Sequence, residues 1–151
     1  MSTFLDTPMF SPDGRWLAYA SEESGASEVY VRPFPGPGGQ YQISAAGGSR
    51  PLWSHDGRQL FFLDDQQRIN VADTSVTGGS FVANKPRMCS NKSLAFMGSN
   101  YAYALAADGK RFAIVLKAGK SEQPQRNTTD RVGVLLNFSE ELTRRVPPAK
   151  H

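Results

Sequence analysis

The sequence predicts an all-β protein made of about three four-stranded antiparallel blades, the units of a β-propeller, and three observations carry that prediction. The first is repetition. "FSPDGRWLAYAS" at residues 10–21, "WSHDGRQLFFLD" at 53–64 and "LAADGKRFAIVL" at 105–116 are near copies of one another. The second is spacing. Asp13-Gly14 and Asp56-Gly57 lie 43 residues apart, and Asp56-Gly57 and Asp108-Gly109 lie 52 apart, where one propeller blade needs about 40–45. The third is patterning. Each Asp-Gly pair opens a strand that is apolar on both faces, as in "RWLAYA", "QLFFL" and "RFAIVL". Strict alternation would leave one face wet, so these strands belong to sheets covered by layers on both sides.

The turn letters explain themselves. Ser-Pro-Asp-Gly orders a type I turn: Ser suits the first position, Pro pre-sets φ at the second and Gly ends it. A left-handed Gly then forms the bulge that lets two twisted strands pair. Asp13, Gly14, Asp56, Gly57, Asp108 and Gly109 are therefore expected to be structural turn residues at hairpin tips rather than site acids.

Blade by blade, the first spans about 7–48. Its strand A ends near Phe10, B covers 15–21, C is "EVYVRPF" at 28–34 and D is "QYQIS" at 40–44, with "PGPGG" as the C–D loop. The second spans about 49–92, with A at 51–54, B at 59–63, C at 68–73 and D at 87–90. An insertion around 76–84 lengthens its interval. The third spans about 100–138, with A at 101–105, B at 111–117 and C at 131–138, followed by a tail at 139–151. It lacks a D strand, and residues 3–6 are expected to supply one as the ring-closing segment.

The 151 residues are 39% hydrophobic and 21% charged, ordinary for a globular chain. No run approaches the roughly 18 apolar residues of a membrane helix, and the first ten lack the pattern of a signal peptide. The chain as written is expected to be soluble, cytoplasmic by default or periplasmic within a larger exported protein. Cys89 is the single cysteine, so no internal disulfide or thiol-based metal cluster is expected. Residues 1–84 hold nine acids against five arginines, a balance of −4, and residues 85–151 hold twelve bases against five acids, a balance of +7. The bases are scattered over turns and ends, so no nucleic-acid partner is expected. The asymmetry suits attraction between one chain's front half and another's back half.

"FSPDGRWLAYAS", "SEVYVRPFPGPGGQYQIS" and "RPLWSHDGRQLFF" together resemble the WD-repeat-like (PD-type) β-propeller family, which includes TolB-like propellers and the C-terminal propellers of bacterial serine/threonine kinases. The run "EVYVRPFPGPGG" and the terminal "VLLNFSEEL" are most similar to the kinase-linked group. The third copy departs from the pattern, losing the turn proline. Kinase activity is not implied, because the chain has no Gly-rich loop, His-Arg-Asp or Asp-Phe-Gly. The resemblance implies about six blades where this chain writes about three, and closed propellers need at least four. An arc of three has two open apolar faces. A homodimer joined through those faces would close a six-bladed ring; a piece of a longer propeller is the alternative.

No catalytic residue and no metal ligand is assigned. His55 sits inside the second turn, no His pair stands at metal-binding spacing, and no Gly-x-Ser-x-Gly elbow occurs. No cofactor is expected. The expected function is a non-enzymatic interaction or sensor module that binds a protein, peptide or small ligand. The loops at 45–50 and 64–67 are its contacts, and Arg50, Asp64 and Asp65 its ligand-binding residues. Two alternatives stand beside it: a metal-dependent propeller hydrolase or lactonase, and the non-catalytic propeller of a larger kinase or peptidase.

Overall fold

A strand that is apolar on both sides needs partners above and below, and the computed structural model supplies them by stacking sheets. It describes residues 6–95, 103–116 and 131–135. Every regular element among these is a β-strand. The chain divides into two compact units, 1–92 and 93–151.

In the first unit, β1 (Asp6–Phe10), β2 (Trp16–Ser21), β3 (Glu28–Pro33) and β4 (Tyr41–Gln42) pair in chain order as an antiparallel meander. This is the expected first blade. The second is built from β5 (Ser49–Trp53), β6 (Gln59–Leu63), β7 (Arg68–Thr77) and β9 (Arg87–Ser93), with β9 pairing β7. The expected insertion is a hairpin. β7 runs on past Asp73, and its extension pairs with β8 (Ser80–Ala83), from Thr74↔Ala83 to Thr77↔Ser80. In the second unit β10 (Tyr103–Leu105), β11 (Phe112–Leu116) and β12 (Arg131–Leu135) form a three-stranded antiparallel sheet, the expected A, B and C of the third blade. Of the expected closing segment, residues 3–5 lie outside the described residues. Asp6 belongs to β1, where it pairs with Ala20.

All three Asp-Gly pairs sit at equivalent hairpin tips. Gly14, Gly57 and Gly109 have φ of 69°, 69° and 67°, the left-handed region that a β-branched residue resists. Their amides donate to Ser11 O, Ser54 O and Ala106 O at 2.8, 3.0 and 2.9 Å. Each aspartate's Oδ1 accepts the amide two residues on, from Arg15, Arg58 and Lys110 at 3.1, 3.0 and 2.9 Å. The first two turns add a serine. Ser11 Oγ and Ser54 Oγ each donate to that Oδ1 at 2.6 Å and accept from Trp16 N and Gln59 N. Ala106 stands at the third turn's serine position, and Asp108 takes the Arg111 guanidinium instead, at 2.6 Å.

The two blades of the first unit stack through one core. Trp16, Ala18, Val29, Val31 and Ile43 of blade 1 meet Trp53, Leu60, Phe62, Ala72 and Phe81 of blade 2. Each of the larger aliphatic and aromatic side chains contributes about 1.5–3 kcal/mol on full burial. Phe81 comes from the inserted hairpin, and its ring lies 5.0 Å from Trp16 and 5.4 Å from Tyr41. Trp53 Nε1 donates across the seam to Met9 O at 3.2 Å. The other face of blade 1 carries Phe10, Leu17 and Arg32, opposite one another in register.

Candidate functional site

Antiparallel blades gather their loops at two edges. At one edge the link from β4 to β5 meets the turn from β6 to β7, so the structure brings the expected contact loops together. A Cβ on Gly47 would lie 3.0 Å from Asp65 Cβ and 3.1 Å from Asp65 N, and Gly47 has φ +86°. Glu28, at the start of β3, holds this link from below. It is buried; its Oε1 accepts from Gly47 N at 3.1 Å and its Oε2 from the Ser44 hydroxyl. Ser44 Oγ in turn accepts from Val29 N at 2.8 Å. Glu28 was not among the expected residues; its signal is an acid opening an otherwise apolar strand.

Arg50 is buried at 7% exposure with φ +51°. It occupies a break in the β5–β6 register between Ser49 and Leu52. Thr7, 43 residues earlier, has φ +49° in the matching break of β1. The bulge is thus part of the repeat, and it re-aims the side chain at the head of each first strand.

Asp64 and Asp65 have different roles. Asp64 is consumed by its own turn: Oδ1 accepts from Gln66 N and Arg68 N, each at 2.9 Å, and Oδ2 from Arg68 Nε at 2.9 Å and Asn70 Nδ2 at 3.1 Å. Burial pushes its pKa up, but these donors outweigh it and hold the carboxyl below the usual range. Asp65 is exposed beside Gly47. Among the described residues no group of three His, Cys, Asp or Glu could hold a metal ion.

At the opposite edge the two serine-bearing turns of the first unit touch. A Cβ on Gly57 would lie 3.5 Å from Pro12 Cδ. Between these turns and the extension of β7 lies a cleft of about 390 Å³ whose walls include Asp13, Trp16, Asp56, Arg58 and Ser75. The hydroxyls of Ser11 and Ser54 are the main cause that holds the carboxyls of Asp13 and Asp56 below the ordinary range.

Stacked four-stranded meanders whose A–B turns share one geometry define the class: a β-propeller module. The comparisons with solved structures agree. A protein from Agrobacterium tumefaciens named as a TolB superposes with a TM-score of 0.57 at 17% identity, over 91% of this chain and 47% of that one. TolB from Acinetobacter baumannii gives 0.44 at 23% identity, over 89% and 44%. A protein from Bacteroides uniformis named as a 6-phosphogluconolactonase gives 0.48 at 19%, over 76% and 34%. The first superposition shows a β-propeller fold like that of the TolB-named protein. The chain spans about half the length, or less, of these structures. No protein-family model matches it, and no curated protein does.

Proposed function

We propose that this chain is a non-enzymatic interaction module of the WD-repeat-like (PD-type) kind, which binds a protein, peptide or small ligand at the edge formed by residues 45–50 and 64–67. One observation carries the reading. The backbone of Gly47 packs on Asp65, so two loops from different blades form a single continuous rim, with Arg50 at the head of β5. Asp64 and the buried Arg50 shape that rim, and Asp65 is the exposed group that meets the ligand. Asp13, Asp56 and Asp64 are each ionised and engaged in turn hydrogen bonds, which suits scaffolding rather than proton transfer, where a catalytic acid wants a pKa near the working pH.

Two copies of the chain, joined through their open blade faces, complete the ring; the same surfaces would serve if the chain is the propeller part of a longer kinase or peptidase. A ligand-dependent thermal-shift screen with a solution mass tests both points. A ligand that raises Tm for the wild type but not for Arg50→Ala or Asp65→Lys supports the rim. Stoichiometric bound calcium or zinc would instead favour the metal-dependent hydrolase reading, and a stable monomer mass would overturn the dimer.

A further inference from the structure

The structure assigns two unlike open faces of this chain to each other. The face of the first blade that carries Phe10 and Phe34 receives the Ala104–Ala113 face of the third blade of a second copy, and two such junctions close the pair. The joining is head to tail, a direction added to the two-copy reading on which it rests.

In the seam, blade 1 presents Ala18 and Val31 with Met9 packed beside them, and blade 2 presents Trp53 and Leu60. Trp53 Nε1 reaches across to Met9 O. Phe10 and Leu17 are the repeat's counterparts of Trp53 and Leu60, each 43 residues earlier, and they are register partners on one face. That face has the pattern the seam buries, yet Phe10 is 49% and Phe34 48% exposed, their rings 4.9 Å apart. Tyr19 and Tyr30, farther along the same face, are buried, so the open part is its Phe10 end. Exposed apolar patches of this kind mark interaction surfaces.

The third blade is open on the opposite kind of face. Counted from the Asp-Gly turn, Ala113 is the counterpart of Ala18 and Ala104 that of Met9. The pairing agrees, Met9↔Ala18 in one blade and Ala104↔Ala113 in the other. On the far side of the same strand Phe112 and Ile114 are 1% and 2% exposed, whereas Ala104 and Ala113 are exposed. The two open faces are therefore the two kinds that meet in the seam, and small alanines leave room for the phenylalanine rings. By the seam's own geometry, Phe10 of one copy falls where Trp53 does, beside Ala104 of the other.

Charge selects a second copy and the direction. Residues 1–84 balance to −4 and residues 85–151 to +7. Setting the first blade of one copy on the third blade of another joins opposite charge, while like face on like face would join the same sign.

The test compares the full wild-type chain with Phe10→Lys and Ala104→Glu, one change on each face, by sedimentation equilibrium. The wild type is expected at the mass of two copies. Each variant alone sets an unpaired charge into both junctions and should raise the dimer Kd at least about tenfold. Mixed in equal amounts, the variants leave one junction unaltered and set the new ammonium against the new carboxylate in the other. The mixture should bind at least about tenfold more tightly than either variant alone. Circular dichroism matching the wild type shows that the variants are folded, and Phe34→Lys replaces Phe10→Lys should that one not fold. A monomeric wild type overturns the two-copy reading together with the junction. A wild-type dimer that Ala104→Glu leaves intact, or a mixture no tighter than its components, overturns the head-to-tail direction alone. A mass above two copies overturns the closed pair.

Discussion

Phe81 sets its ring 5.0 Å from that of Trp16, although the two belong to different blades. The inserted hairpin is therefore a wedge in the seam rather than a loose loop. Phe81 is 4% exposed, so Phe81→Ala should cost about 3 kcal/mol, at the low end for a buried phenylalanine. The check is the urea midpoint of wild type and variant. An effect under about 0.5 kcal/mol, the size of an ordinary surface change, would show that the seam does not need the wedge.

Ala106 stands where Ser11 and Ser54 stand in the other two turns. Removing the hydroxyl with Ser54→Ala should destabilise by about 1–2 kcal/mol, since it takes away two hydrogen bonds, to Asp56 and from Gln59 N. Supplying it with Ala106→Ser should stabilise the third hairpin by a similar or smaller amount. Hydrogen exchange of the Arg111 amide, the counterpart of Gln59 N, reads the second effect directly.

Low pH should weaken the fold, and the sign follows from the carboxylates. Asp13, Asp56, Asp64 and Asp73 all sit below their ordinary pKa. For Asp73 the first cause is the Arg87 guanidinium, which meets it at 2.5 Å. A lowered folded pKa means the unfolded chain binds protons first, so the contribution is full above about pH 4 and disappears as pH falls through the folded values. Denaturation midpoints should be flat from pH 5 to 7 by this mechanism and drop below about pH 4. Asp64→Asn should lower the plateau and shallow the drop.

Cys89 is buried in β9, and burial pushes its thiol well above the usual range. Thiolate is the reactive form. A thiol reagent at pH 8 should therefore leave folded protein unmodified and label it at the rate of unfolding in denaturant. Fast labelling of native protein would contradict the burial.

Gly47 tests the rim at the point where its two loops meet. With φ +86° and Asp65 at 3.0 Å, Gly47→Ala is strained twice over, and about 1–2 kcal/mol of destabilisation is expected from the backbone alone. Gly78, with φ +59° and open space around it, carries the backbone term but no clash. Gly78→Ala should cost less, and paired thermal melts compare the two.

The blades were legible because their signal repeats. Asp-Gly at a 43-residue spacing fixed the turns, and the two-sided apolar runs placed β2, β6 and β11 to within a residue. The hairpin was legible only as extra length. Gly78-Gly79 between "TSVT" and "SFVA" is a two-residue turn signal, but it has no counterpart in the other repeats, and Phe81's place in the seam follows from tertiary packing. Thr7 and Arg50 gave no warning of left-handed backbone, since neither type favours it; the surrounding pairing imposes it. The loops at 45–50 and 64–67 meet where Gly47 lies against Asp65, while Asp64's commitment to its own turn depends on Arg68 and Asn70 folding back, which linear spacing does not display. Within the chain, Asp73 and Arg87 join the acidic half to the basic half through one ion pair.

Phe10 and Leu17, on the side of blade 1 turned away from the seam, stand 43 residues ahead of Trp53 and Leu60, which are inside it. These two tiers therefore meet by unlike surfaces, the underside of the first against the top of the second. Copying a segment of 43 codons would insert a further tier with both mating surfaces already matched. Growth by duplication needs no invention of a new contact, only a way to stop.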